Sequence, residues 1–496
     1  MKWIACLFVA ACSYGVAAAQ SKPAIVFKVP DAPGGAVTVT KPLDGKVFID
    51  FPAADTLNAH GELVLPNTQK KAGPYTFHYK GKIYRLFVKP GKNYKVTVDP
   101  GQVQRPVIVE GADAAGQEAL GLLQFDNFQG RGMRLYKQDT VFEHNRDKAL
   151  REIDSCLQPF RQLLAKKAID QVFYTYTEQM VRNYYASVLT TTLMAPVRAL
   201  VFHKDSARFD ASKLRAVENH WQDVLAISDP RNMATAANDT YFNYWYVINN
   251  WYYVYFLEQS RGTYKVSKND DDAQQAWYNA IDAHVKQEPM REFQVASLLQ
   301  LMVLEKRYET IIPGLYAAFV KRYPKSVYIP LLEPGIEDVK VFLATHNTDF
   351  SPDQQFVEQY AAINTVDDLV ARFKGKAVFM DLWATWCGPC KEEFAYSPDL
   401  KAMLDKNNIA MLYVSIDRDA VDAQWKNMIK FYKLKGYHVR ASKKLNEDIF
   451  RLFNKKEILA IPRYVLFKDG KMVLAEAKEP RSKEALYQQL LEALKS

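Results

Sequence analysis

The chain is poor in cysteine, with five in 496 residues. Cys6 and Cys12 fall in a short apolar stretch at the start, which leaves Cys156, Cys387 and Cys390. Three thiols do not make a disulfide-stapled scaffold. The fold must therefore rest on hydrophobic cores, and a 48% hydrophobic chain of this length has material for three ordinary domains. There is one Cys-x-x-Cys and no second, and the eight histidines include no pair at metal-ligand spacing, so no metal is expected. No Cys-x-x-Cys-His motif is present to attach haem, and no other cofactor is called for. Charge of one sign is also scarce. The 65 basic and 56 acidic residues are interleaved, the net charge of +9 is mild, and no polybasic run implies nucleic acid. Beyond the start, no stretch is apolar enough to cross a membrane as a helix.

The start itself is distinctive. Lys2 supplies a charge, Ile4 to Ala11 a short apolar core, and Ala17-Ala18-Ala19 a small-residue cleavage site before Gln20. Residues 1–19 thus read as a signal peptide, and a periplasmic or cell-envelope location is expected. Val9-Ala10-Ala11-Cys12 offers a second reading, a lipobox that would anchor a lipoprotein at Cys12.

The remaining cysteines sit where chemistry is to be expected. Ala377 to Trp383 is an apolar run that reads as a buried strand, and Cys387-Gly388-Pro389-Cys390 opens a helix expected to run to about Asp405. Two cysteines separated by two residues at a strand-to-helix junction form the pattern of a thiol–disulfide centre. A thiolate is the nucleophile, and unpaired backbone N–H groups at a helix N-terminus favour it at Cys387 by up to about 2 kcal/mol. Cys390, one turn deeper, lacks this benefit and reads as the resolving thiol.

Trp386-Cys387-Gly388-Pro389-Cys390-Lys391 resembles the active site of the thioredoxin superfamily, and the resemblance covers about the last 150 residues. It implies that Asp381, six residues before Cys387, is a buried carboxylate serving the resolving thiol; a satisfied structural acid is the alternative. It also implies that Ala460-Ile461-Pro462-Arg463 is a cis-proline loop, where Pro462 faces the cysteines and Ile461 offers its backbone to an extended substrate. A plain turn proline is the alternative there. Trp386, Gly388 and Pro389 would complete the surface that frames the client. A peroxidase-type centre would carry threonine three residues before its cysteine, and Ala384 stands there instead.

The rest of the chain divides by texture. Residues 20–112 alternate like a β-sandwich, with strands expected at Ala36–Thr40, Lys46–Phe51, Tyr75–Tyr79, Lys82–Val88 and Asn93–Asp99 and a hairpin turn at Lys80-Gly81. Residues 113–347 read as a helical domain. Within it, the aromatic stripe from Tyr241 to Phe256 is expected to be a buried helix, an aromatic ligand groove being the alternative, and Cys156 a small hydrophobe. Residues 348–496 alternate strands and helices and are expected to form an α/β thioredoxin-like fold. This three-part layout resembles exported TlpA/ResA-like thiol–disulfide oxidoreductases.

The function expected is reduction of disulfides in client proteins through the Cys387/Cys390 dithiol, with electrons from a membrane or envelope donor. A disulfide oxidase or isomerase is an alternative. So is an envelope scaffold that binds peptide or glycan and carries a secondary redox domain.

Overall fold

The computed structural model describes residues 23–48, 52–99, 101–102, 107–202, 211–229, 270–453 and 459–495. The expected signal peptide, with Cys6 and Cys12, and the aromatic stripe from Tyr241 to Phe256 lie outside them. Two compact units emerge, Met1–Tyr264 and Lys265–Ser496. The helical stretch expected over 113–347 therefore contributes helices to both.

The first unit begins with eight strands: β1 (Ala24–Lys28), β2 (Ala36–Thr40), β3 (Pro52–Thr56), β4 (Glu62–Pro66), β5 (Gly73–Tyr79), β6 (Lys82–Val88), β7 (Tyr94–Val98) and β8 (Val107–Gly111). They form two four-stranded sheets, ordered β4-β1-β7-β8 and β3-β2-β5-β6. Alternate residues of both sheets share one core, in which Phe27 and Phe77 stack at 4.5 Å. Tyr94, Val96 and Val98 face inward, as their alternation predicts. Lys80 and Gly81 both take positive φ, which a two-residue hairpin between right-twisted strands requires. The strand expected at Lys46–Phe51 is not one in its described part: Lys46 closes a turn back to Leu43 across Asp44-Gly45. Helices α1 (Ala114–Leu122), α2 (Phe128–Gln138), α3 (Phe142–Ala165), α4 (Gln171–Phe202) and α5 (Ala211–Ile227) follow. Gln117 of α1 bonds both the N–H and the carbonyl of Phe87, and Phe87 stacks on Tyr176 of α4 at 4.4 Å. Cys156 packs beside Tyr185, its Sγ 3.8 Å from the hydroxyl.

The second unit opens with α6 (Asp270–His284), α7 (Glu288–Leu304), α8 (Ile312–Arg322) and α9 (Ile329–Thr345). Then come β9 (Gln354–Phe356), α10 (Val366–Val370), β10 (Ala377–Trp383), α11 (Gly388–Glu393), α12 (Ser397–Lys406), β11 (Ile409–Ser415), α13 (Asp422–Phe431), β12 (Gly436–Arg440), α14 (Lys443–Phe453), β13 (Arg463–Lys468), β14 (Lys471–Leu474) and α15 (Glu484–Ala493). The six strands form one sheet ordered β14-β13-β10-β11-β12-β9, with β10, β11, β12 and β9 parallel. β10 and β11 are central and almost wholly buried, so each is a continuous apolar run rather than an alternating one. Val378, Met380 and Leu382 point to one face, onto α10 and α14. Phe379, Asp381 and Trp383 fall on the other, where Trp383 meets Phe394 just past α11. The cysteine loop thus emerges at the carboxyl end of a central parallel strand, where open α/β sheets place their sites.

Candidate functional site: a cysteine pair at a helix start

Strand β10 ends at Trp383, and a turn closed by the Cys387 N–H on the Ala384 carbonyl (3.0 Å) aims the chain into α11. Cys387 is the N-cap of that helix, and its Sγ accepts the Cys390 N–H at 3.2 Å. Pro389 sits in the first turn, where its missing N–H leaves no bond unmade. Cys387 and Cys390 are joined as a disulfide, with Cα atoms 5.3 Å apart. Both sulfurs are nearly buried, whereas Trp386 beside them is 66% exposed. The helix expected to reach Asp405 is interrupted: α11 gives way to a 3-10 turn at Phe394–Tyr396, and α12 restarts with Pro398 in its first turn. Proline cannot donate into a preceding turn, so the break falls there.

Asp381 lies beneath the cysteine helix, 2% exposed, and its Oδ1 has no hydrogen-bond partner among the described residues. Burial pushes its carboxyl well above the usual carboxylate range, and the neighbouring Glu393 pushes it further. Strand register sets Asp381 between Tyr413 of β11 and Tyr464 of β13, two hydroxyls whose pKa burial raises. Glu393, on α11 and also buried, bonds Arg481 through both carboxylate oxygens, one of them accepting the Arg481 backbone N–H at 2.9 Å.

Two further segments reach the cysteine end of the sheet. The Ile461–Pro462 peptide is cis, and pairing of Leu382 with Arg463 sets Pro462 level with the end of β10. On the other side, buried Asp417 holds the approach to the cysteines. It accepts the Thr385 N–H at 2.8 Å, the Thr385 hydroxyl at 2.9 Å and the Ser415 hydroxyl at 2.7 Å. The expected residues thus converge at one end of the sheet: Cys387, Gly388, Pro389 and Cys390 in one turn, Trp386 exposed beside it, Asp381 below, and Ile461 and Pro462 in the bend that leads into the adjacent strand β13. Sequence reasoning missed Glu393, Asp417 and a role for Lys391 as an anchor. No short-range spacing marks Asp417 or the partner of Lys391. Among the described residues no cluster of histidine, cysteine and carboxylate side chains could hold a metal.

A strand-to-helix Cys-x-x-Cys, joined as a disulfide, thus stands above a buried carboxyl on a thioredoxin-like fold. Residues 348–491 match the Redoxin family model. Two relatives named Thiol-disulfide oxidoreductase ResA, from Bacillus thuringiensis subsp. konkukian and Bacillus cereus, are each 33% identical over 119 residues, which is 24% of this chain and 64% of theirs. The chain therefore spans less than two thirds of the length of these curated relatives. Among solved structures, the thioredoxin domain of a thiol-disulfide oxidoreductase from Bacteroides vulgatus aligns with a TM-score of 0.21 and 24% identity, covering 25% of this chain and 82% of that one. The Redoxin match and the ResA relatives show that the C-terminal part of the chain is similar to TlpA/ResA-like proteins of the thioredoxin superfamily.

Proposed function

We propose that this chain is an exported thiol–disulfide oxidoreductase that reduces disulfides in client proteins. The observation that carries the reading is the Cys387 sulfur at the cap of α11, 3.2 Å from the Cys390 N–H. A sulfur placed there gains from carrying negative charge. Its thiolate attacks one sulfur of a client disulfide, forming the mixed disulfide, and the other client sulfur leaves as a thiol after taking a proton. Cys390 then loses its proton and attacks Cys387 Sγ. The second client sulfur departs reduced, and the Cys387–Cys390 disulfide is left behind. Two electrons have passed to the client. A dithiol donor of the membrane or envelope returns them.

Asp381 takes the Cys390 proton in this scheme. An ordinary carboxylate is far too weak a base for a thiol, and its raised pKa narrows the gap. Exposed Trp386 and the Ile461-Pro462 backbone frame the client, and the regions before residue 348 select it. The charged, apolar and small-residue pattern of residues 1–19 supports export to the envelope, and no described helix is long and apolar enough to cross a membrane.

The test is reduction of insulin by the protein recharged with a small dithiol. Wild type should turn over, and Cys387→Ser should be inactive with an unchanged circular-dichroism spectrum. Retention of most activity by that variant overturns the mechanism. Net oxidation of reduced clients under the same conditions would favour the oxidase reading.

A further inference from the structure

The loop between α7 and α8, within the second unit, reaches the helix of the cysteines. Lys391 directly follows Cys390 and is itself buried. Its Nζ donates to the carbonyls of Glu305 at 3.0 Å and Lys306 at 2.9 Å and stands 5.9 Å from the centre of the Tyr308 ring. Lys306 returns the contact, its Nζ donating to the Lys391 carbonyl at 3.4 Å. Tyr308 is fixed in turn. It stacks on Phe342 of α9 at 4.1 Å, and its hydroxyl lies 2.5 Å from that of Tyr432. The charged groups around Lys391 are Arg307 and Lys306, which oppose its charge, and Glu309 and Glu305, which favour it. With burial the largest influence, its pKa falls to about 8.

A lysine on the cysteine helix needs no such place. On a solvated face it would keep its water at no cost, whereas here it has exchanged water for two backbone carbonyls about 85 positions earlier. Those carbonyls belong to a loop that carries no redox chemistry of its own. Lys391 ties α11, the helix whose start holds the reactive sulfur, to that loop, and the Lys306 ammonium bonds the Lys391 carbonyl in return.

We propose that the loop Glu305–Glu309 is a positioning element for the dithiol, acting through Lys391, so that helices α7 and α8 set how readily Cys387 becomes a thiolate. The proposal rests on the redox reading of the Cys387–Cys390 pair and assigns a control over it. Lys391 and Lys306 are positioning residues, touching neither client nor sulfur.

The test uses the full chain with Lys391→Met and, separately, Lys306→Met. Each is reduced and alkylated with iodoacetamide at about pH 6, and labelling at Cys387 is followed by mass spectrometry. Loss of either cation should slow that labelling about threefold or more. It should also shift the equilibrium with glutathione toward the protein disulfide, because the thiolate form is less stabilised. A merely structural lysine would change melting and leave both readouts alone. Two folded variants with wild-type labelling rates overturn the proposal. If Lys391→Met does not fold, the half-buried Lys306 decides by the same criterion. Insulin reduction by wild type judges the function separately: a protein inert toward insulin whose Cys387 still responds to Lys391 refutes the reductase and keeps the positioning element.

Discussion

Asp381→Asn removes one ionisable proton and almost no volume, and its consequences can be worked out in sign. Burial first and Glu393 second hold the folded-state pKa of Asp381 well above the usual carboxylate range. Such a group contributes stability that is fully present below its unfolded pKa and is lost as pH rises through the folded value. Wild-type stability should therefore decline as pH rises above about 4, where the carboxyl ionises in the unfolded chain before it does in the folded one. The asparagine variant has no proton to lose there. Leaving a buried polar group unpaired costs about 1–3 kcal/mol, and more when it is charged; Oδ1 of Asp381 is already without a partner among the described residues. The variant should therefore exceed wild type by at least about 1 kcal/mol at pH 9 in urea unfolding, with the gap closing toward about pH 4. Chemistry should move the other way. General-base help is worth about 10²–10⁴ in rate, and water can replace part of it, so resolution of the mixed disulfide should slow about 100-fold at pH 7. Its formation should be unaffected. Stopped-flow mixing with a fluorescent client disulfide separates the two phases. Parallel stability profiles for both proteins from about pH 5 to 9 would refute the buried-proton argument, and a slowdown confined to formation would refute the role given to Asp381.

Cys390→Ser should accumulate a mixed disulfide between Cys387 and a client, because attack proceeds and resolution cannot; non-reducing gels that show no adduct would contradict the assignment of the two thiols. Asp417→Ala strips acceptors from the Thr385 N–H, the Thr385 hydroxyl and the Ser415 hydroxyl. It should cost about 1–3 kcal/mol in chemical denaturation and raise the exchange rate of the Thr385 amide, and an amide as protected as in wild type would show that the carboxylate does not hold that turn.

The parts of the site that were legible in the sequence are local. Cys387 and Cys390 lie one helical turn apart, and Asp381 and the loop at Pro462 follow from the resemblance of the motif, which stands six residues after the one and upstream of the other. Asp417 was not legible, because its partner Thr385 is 32 positions away and nothing in the spacing joins them. Lys391 was visible only as the last letter of a motif, its anchors standing 85 and 86 positions upstream. In the fold, the apolar strands β10 and β11 were plain, while β9 and β12 escaped. β9 is three residues long. β12 carries His438, a polar letter in a buried place. Its ring stacks on Tyr413, and burial drives its pKa down to about 3, so it packs as a neutral aromatic. The strand expected at Lys46–Phe51 had the right composition, but in its described part Asp44-Gly45 turns the chain back on itself.

The seam between α9 and α13 bears on how such a domain can be inherited. Family similarity starts at residue 348, yet Asn427 donates to the Phe342 carbonyl at 2.8 Å, and Lys430 donates to the His346 carbonyl at 2.7 Å and the Thr348 carbonyl at 2.9 Å. A recombination breakpoint placed at 348 would strand an amide, one lysine contact and the Phe431–Tyr432 aromatic face at once. Keeping those contacts intact would mean moving the compact unit Lys265–Ser496 as a whole. Helices that carry no sulfur would travel with the cysteines whenever the redox module is moved, in nature or by design.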